Sequence, residues 1–428
     1  MAAIAAPRSK PSPAQWALLA LVLSLAVMKP DLAYPVMVTD LLFLLAAALL
    51  AAEWALGRRR PRWRPLYLPL GAYWLCLSAS ILVSADPAAT AIKSAATLYL
   101  VGLAVLADQL IDDEAELRRV SLAWLAGTGA VAALGAVSLL LYLVAPDSGL
   151  VRWAAFHSGT LPPGDYPRLA ISFWNANMLC NYLTASLGLL LVARHRGWIE
   201  RPTFVLLLAG LLIAALSSIS PGLGGIALLG GLWLWLVKRA SEPSRARAAL
   251  AAGVAAAAAL LVAIAVTPIL HPTAPFLVEL PGGITLAPSG RYLTWAAAAR
   301  EWAANPLLGH GLGVAAVEVR YLDPGNYLQT LTDAHNVFLN VAAQSGLIGL
   351  AGLLLLIGLA ARLTFAGGPA DLRLVRLGLG LTWLDAFVYQ GLGGSFEDAR
   401  HLWVLLGLLL AADRLATRPA VAPAAAPA

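Results

Sequence analysis

Apolar residues fall in continuous blocks of about 16 to 25 residues, the length that crosses a bilayer core as α-helix at ~1.5 Å per residue. Twelve blocks are read, at 13–28, 34–56, 66–84, 89–110, 119–144, 169–193, 203–218, 221–237, 249–270, 340–362, 374–393 and 400–414. Runs such as Thr203 to Leu216 are unbroken rather than alternating, which excludes a membrane β-barrel. The pattern predicts an all-α polytopic membrane protein with about twelve transmembrane helices.

Composition sharpens this. The 428 residues would make two or three soluble domains at ~150 residues each. Yet 60% are apolar and only 12% charged, about half the charged share of a soluble domain. Cys76 and Cys180 each sit inside an apolar block, so they read as packing residues rather than a disulfide of an exported loop. The first block, Trp16 to Val27, is followed by Lys29-Pro30 and another long span, and reads as a retained helix rather than a cleaved signal peptide.

Net charge is +6, but its placement matters more than its sum. Of 29 Lys and Arg, all but Lys29, Lys93, Arg152, Arg168, Arg291, Arg300, Arg320 and Arg400 fall on one side of the predicted spans. That bias puts both termini in the cytoplasm and gives no reason to invoke nucleic acid. The layout becomes spans one to nine in 1–270, a periplasmic loop domain in 271–334, spans ten to twelve in 335–415 and a disordered cytoplasmic Ala/Pro tail in 416–428. The loop domain opens as Pro/Gly-rich extended chain, turns helical at Ser289, a capping residue type, and stops at Asn305-Pro306 before the glycine-rich Gly309 to Gly313. So long an outer insertion suits an enzyme working on a bulky substrate better than a transporter.

Several residues on the outer side could carry chemistry. In "LTDAHNVFLN", Asp333 or Thr332 can cap the helix of span ten, placing His335 in its first turn. The helix dipole there disfavours imidazolium and favours a bound phosphate. His335 reads equally as an interfacial histidine bonded to its loop. Arg291 lies in the first turn of the loop helix, with Trp295 one turn on; a guanidinium there either grips phosphate oxygens or simply solubilises the surface. Arg168, after Pro167, is expected to open span six and to share a face with Ser172 and Asn175, with Asn177 and Asn181 nearby. Arg168 alone could snorkel to headgroups, and the amides suit interhelical hydrogen bonds as well as substrate. Asp385 and Tyr389, one turn apart in span eleven, are a secondary polar pair. The acidic run Ile111 to Glu116 reads as a solvated cytoplasmic face, His310 as a loop histidine, and "GHGLG" lacks the preceding strand of a nucleotide fingerprint. The outer side carries no cluster of His and carboxylates, so no metal and no cofactor are expected.

"SGRYLTWAAAAREWAANPLLGHGLG" followed by "AHNVFLNVAAQSGLIGLAG" resembles the signature region of the bacterial O-antigen ligase and polymerase superfamily. The resemblance implies a fold like that of the multi-span glycosyltransferases, with a periplasmic loop domain over a membrane cavity. It also implies a function: transfer of an undecaprenyl-pyrophosphate-linked O-antigen to lipid A-core, at the periplasmic face of the bacterial inner membrane. On that resemblance Arg291 and His335 match the family's loop arginine and histidine, and Arg168 matches a further arginine more loosely, which makes these three the expected catalytic residues; Asn336, Trp295, Ser172, Asn175, Asn177, Asp385 and Tyr389, read from their placement, are the candidate substrate contacts. Where many relatives carry Ser-Arg before Gly, this chain has "LSSISPGLGG" and no arginine. An O-antigen polymerase or a protein O-oligosaccharyltransferase of the same superfamily is the nearest alternative, and a lipid-linked sugar flippase a more distant one.

Overall fold

The computed structural model describes residues 10–29, 36–155, 168–220, 222–238, 278–280, 284–286, 291–315, 317–322, 328–367, 369–393 and 399–417. Predicted span 249–270, the capping Ser289 and the Ala/Pro tail lie outside them. The described chain is mostly helix, and six of its helices are long and apolar enough to cross a membrane: Val38–Ala55, Pro65–Val83, Pro87–Leu110, Glu114–Val144, Ala176–His195 and Val337–Phe365.

In chain order the helices are α1 (Pro13–Ser24), α2 (Val38–Ala55), α3 (Leu68–Ser78, flanked by 3-10 turns), α4 (Pro87–Leu110), α5 (Glu114–Val144), α6 (Gly149–Ala154), α7 (Ala176–His195), α8 (Arg201–Ser217), α9 (Leu223–Lys238), α10 (Arg291–Ala304), α11 (Val337–Phe365), α12 (Ala370–Gly393) and α13 (Arg400–Thr417). Local chemistry sets the starts. Ser12 and Gln15 form a capping box before Pro13, and Asp86 caps α4 before Pro87. Two short antiparallel hairpins, β1 (Val278–Leu280) with β2 (Ile284–Leu286) and β3 (Val319–Leu322) with β4 (Leu328–Leu331), flank α10 in sequence. The extended reading of the loop's opening anticipates the first hairpin; nothing in the apolar pattern marks the second.

Helices α7 and α13 form the interior, α7 packing on α12 and α13 on α4 and α12. Outer faces carry exposed Leu44, Leu206, Leu212 and Leu354, as lipid-facing helices do. One end of the bundle is tied by ions. Asp108 takes Arg64 and Arg414 at 3.1 Å each, Asp413 takes Arg64 at 2.9 Å and the buried Arg376 at 2.8 Å. The acidic run is ion-paired as well as partly solvated: the half-exposed Asp112 pairs with Arg59 and Arg62 and the half-exposed Glu114 with Arg196, Asp113 is exposed, and only Glu116, paired with Arg119, is buried. For the fully buried Asp108, losing its arginines would leave an uncompensated buried charge.

At the other end α11 breaks at Gly346, where φ is 62° and ψ −160°. The glycine-rich loop fills the break. Leu347 N donates to Pro306 O (2.8 Å) and Ile348 N to Leu307 O (3.2 Å), while His310 N and Gly311 N donate to the carbonyls of Ala343 (3.0 Å) and Gln344 (2.9 Å). Helix donors and acceptors freed by the break are thus re-satisfied by loop backbone. A Cβ on Gly346 would lie 2.3 Å from the Leu307 carbonyl carbon, and one on Gly309 2.4 Å from that of Gln344. Gly346→Ala should therefore destabilise the protein by at least the roughly 1–3 kcal/mol of a glycine-only backbone position, read as a fall in thermal midpoint in detergent; an unchanged midpoint would contradict this packing.

Candidate functional site

The site is assembled from three segments. The first is the entrance to α11. Asn336, 1% exposed, is the N-cap: its side-chain oxygen accepts from Phe338 N (3.1 Å) and Leu339 N (3.3 Å). His335 therefore precedes the cap instead of lying in the first turn, and the helix start is corrected by three residues from Asp333, or four from Thr332. Its φ of 48° explains why the helix cannot begin earlier. Asp333 holds that conformation, its Oδ1 accepting from His335 N at 2.5 Å and its Oδ2 from Asn340 Nδ2 at 3.2 Å. The imidazole is about a third exposed, with Nδ1 3.9 Å from Asp333 Oδ1. A left-handed non-glycine residue so restrained is the kind of local strain that clusters at working sites.

The second segment is α10. Trp295 Nε1 donates to Ala334 O at 2.8 Å, and Thr294 Oγ1 to the same oxygen at 3.4 Å. These bonds fix the backbone immediately before His335. Arg291 is the first residue of α10, one turn ahead of Trp295; its side chain lies outside the described part. Trp295→Phe keeps an aromatic ring but deletes the indole N–H bond and part of the packing against the Ala298–Leu339 cluster, so we expect a loss of at least about 1 kcal/mol in stability and a fall in turnover, measured by thermal shift and transfer assay on the same preparation. His310 is a loop residue, with Nε2 3.0 Å from Glu301 O and 3.1 Å from Glu301 Oε2.

The third segment surrounds Arg168, and here the sequence reading needs its largest correction. Span six was expected to start near residue 169, with Arg168, Ser172 and Asn175 on one helical face. Helix α7 instead begins at Ala176, capped by Asn175 through Met178 N at 2.8 Å. Backbone donors ahead of it go elsewhere: Leu169 N to Ser217 O, and Ala170 N and Ile171 N to Ala154 O. The three residues share no helical face. Ser172 is buried and anchors the end of α1, donating from Oγ to Ala26 O (2.5 Å) and accepting at its carbonyl from Met28 N and Lys29 N. Burial there lowers the Lys29 pKa.

Arg168 turns toward the α8–α9 connection. Its Nε donates to Ser218 O at 3.1 Å and its Nη2 to Asn177 Oδ1 at 3.3 Å. Asn177 Oδ1 also accepts from Ser220 Oγ at 2.9 Å, and the Ser220 hydroxyl bonds that of Tyr389. Gly222 allows the contact, since a Cβ there would lie 2.8 Å from the Tyr389 ring and 2.9 Å from the buried Cys180 Sγ. One turn before Tyr389, Asp385 faces Gly225. Ser218 and Ser220 were not singled out from the sequence; the signal was the polar "SSIS" interrupting an apolar stretch.

Helix α12 links this cluster to His335. Two residues beyond Tyr389, Gly391 backs onto Val337, where an added Cβ would lie 2.9 Å from Val337 Cγ1, and Phe387 meets Phe338 edge-on at 6.4 Å. Arg168, Tyr389 and His335 thus stand on neighbouring elements at one end of the bundle. Among the described residues no group of three or more His, Cys, Asp or Glu is arranged to hold a metal ion.

Residues 203–354 match the family model described as O-antigen ligase. The match supports membership of the chain in the O-antigen ligase superfamily. No curated protein matches the chain. The O-antigen ligase match contains Ser218, Ser220, Arg291, Trp295, His335 and Asn336, whereas Arg168, Asn177, Asp385 and Tyr389 lie outside it.

Proposed function

We propose that the protein is an O-antigen ligase, a multi-pass glycosyltransferase that moves an undecaprenyl-pyrophosphate-linked O-antigen onto lipid A-core at the periplasmic face of the inner membrane. Residues 271–334 form the loop domain over its site. What carries the reading, beside the family match, is one observation: the strained, partly exposed His335 at the positive end of α11 is joined through α12 to the Arg168 turn.

In the reaction the acceptor hydroxyl oxygen bonds to the anomeric carbon, the bond from that carbon to the pyrophosphate oxygen breaks, and undecaprenyl pyrophosphate leaves. His335 takes the hydroxyl proton as general base. Arg168 and Arg291 stabilise the charge growing on the leaving group through charge-assisted hydrogen bonds. Arg168 supplies, from the segment before α7, a guanidinium beside the very turn that lacks the arginine of its relatives. Attack opposite the leaving group inverts the anomeric centre. Asp385, Tyr389, Asn177, Asn336 and Trp295 shape the pocket, while Ser172 and Asn175 serve it by holding the loop and capping α7. The polyprenyl tail lies in a groove between helices, since exposing it to water costs about 0.8 kcal/mol per CH₂.

The test is transfer by purified protein from a defined undecaprenyl-pyrophosphate glycan to lipid A-core in detergent. With guanidiniums rather than a metal on the pyrophosphate, activity should persist undiminished in excess EDTA. Loss that divalent cations restore would contradict the clamp. A deletion strain separates the siblings by lipopolysaccharide gel: a bare core with accumulated lipid-linked polymer marks the ligase, a core with a single repeat the polymerase, and normal lipopolysaccharide the protein-directed enzyme.

A further inference from the structure

At the end of the bundle away from His335, α2 is closed by Gly57 in the left-handed region (φ 67°). Arg58 N and Arg59 N both turn back onto Glu53 O, at 2.9 and 3.2 Å. The arginine-rich stretch that follows folds beneath the start of α1 and the end of α4, and a cavity of about 610 Å³ opens there. That volume is in the range of small-molecule sites.

Its walls are of two kinds. One is apolar, made by Leu49, Ala52 and Leu56 of α2 and the turn after it. Together with Leu45 these follow a helical i, i+4, i+7, i+11 spacing, so they form one stripe. Leu45 and Leu56 are 49% and 64% exposed, so the stripe runs from the outer surface of α2 into the cavity.

The other wall is cationic. Arg58, Arg59, Arg60 and Arg62 line it against two carboxylates, Glu53 and Asp112. Both carboxylates are engaged: Glu53 by Arg59 at 3.1 Å, Asp112 by Arg59 at 2.7 Å and Arg62 at 2.5 Å. Arg58 and Arg60 are exposed and have no ion pair among the described residues. Four guanidiniums facing two carboxylates leave an excess of two positive charges. The start of α1 and the end of α2 both border the cavity, and their opposite dipole ends offset each other. The field an incoming ligand meets is therefore that of the arginines.

We propose that this cavity binds the phosphate headgroup of an anionic phospholipid, with an acyl chain lying along the Leu45–Leu56 stripe. Guanidiniums match phosphate oxygens bidentately, and the apolar stripe leading outward suits a chain-bearing ligand over a soluble one. Trp63, 74% exposed beside the same turn, is the residue type that settles at headgroup level.

The experiment compares the purified full chain in detergent with phosphatidylglycerol and with phosphatidylcholine of the same chains, binding being read by native mass spectrometry. Phosphatidylglycerol should bind preferentially, and the Arg58→Gln/Arg60→Gln double variant should weaken it about thirtyfold, about fivefold per arginine. The matched double variant Arg300→Gln/Arg320→Gln, at exposed positions distant in sequence from this turn, should bind as the wild type does. Leu56→Asn leaves every charge in place and should also weaken phosphatidylglycerol, so a poorly folded arginine variant does not block the test. Inorganic phosphate at the lipid's concentration should not compete; effective competition would make this a free-anion site and overturn the lipid assignment. Equal binding of the two lipids, or wild-type binding by both the arginine variant and Leu56→Asn, would overturn it as well.

Discussion

His335→Ala should abolish glycan transfer, lowering turnover by about 10²- to 10⁴-fold, the usual contribution of a positioned general base, while the protein still inserts and folds. The expectation of an intact fold rests on where the residue sits. Its imidazole is only about two-thirds covered, whereas the entrance to α11 is held by Asn336 capping Phe338 and Leu339 and by Trp295 and Thr294 on Ala334. Removing the imidazole leaves those bonds in place and relieves none of them. His335→Asn, which tolerates the left-handed backbone better than Ala and cannot serve as a base, should be as inactive and at least as stable. Substantial transfer by either variant, in a preparation with a normal melting profile, removes His335 from the mechanism.

The second large effect belongs to the arginines. Arg168→Ala and Arg291→Ala should each lower turnover by about 10²- to 10³-fold, the cost of deleting one preorganised donor to a developing anion. The loss should fall mainly on kcat, because the charge on the leaving oxygen grows between the bound substrate and the transition state. Arg168→Lys should rescue little. The guanidinium reaches Ser218 O through Nε and Asn177 Oδ1 through Nη2 at the same time, and an ammonium cannot span both acceptors and still face a phosphate. Recovery of activity by Lys would mean that charge alone, without the planar fork, is sufficient.

Apolar block length made the helices legible, because a segment that must satisfy its backbone inside lipid has almost no alternative to helix. The entrance to α11 was legible to within one turn: Thr332, Asp333 and Asn336 are all capping residue types, and the left-handed backbone at His335 passes the cap to Asn336, three residues beyond Asp333. Arg168 was placed in the wrong local structure because Pro167-Arg168 looks like a helix start. The decisive bonds, to Ser217 O and Ala154 O, come from segments distant in sequence. Long-range pairing also hid the roles of Ser218 and Ser220 and the ion-paired state of the acidic run, whose partners Arg59, Arg62 and Arg196 lie more than forty residues away. The β3–β4 hairpin escaped because four-residue strands in a polar loop carry too short an alternation to be told from coil.

The proposed mechanism requires Arg168, Arg291 and His335 to converge around one diphosphate. Cryo-electron microscopy of the protein with bound undecaprenyl pyrophosphate tests this most directly. The account predicts diphosphate density between the two guanidiniums, on the side of α12 that carries Tyr389, with the His335 imidazole facing the position of the sugar's anomeric carbon. Diphosphate density seated elsewhere, with Arg168 still turned to Ser218 and Asn177 and no guanidinium in reach, would contradict it.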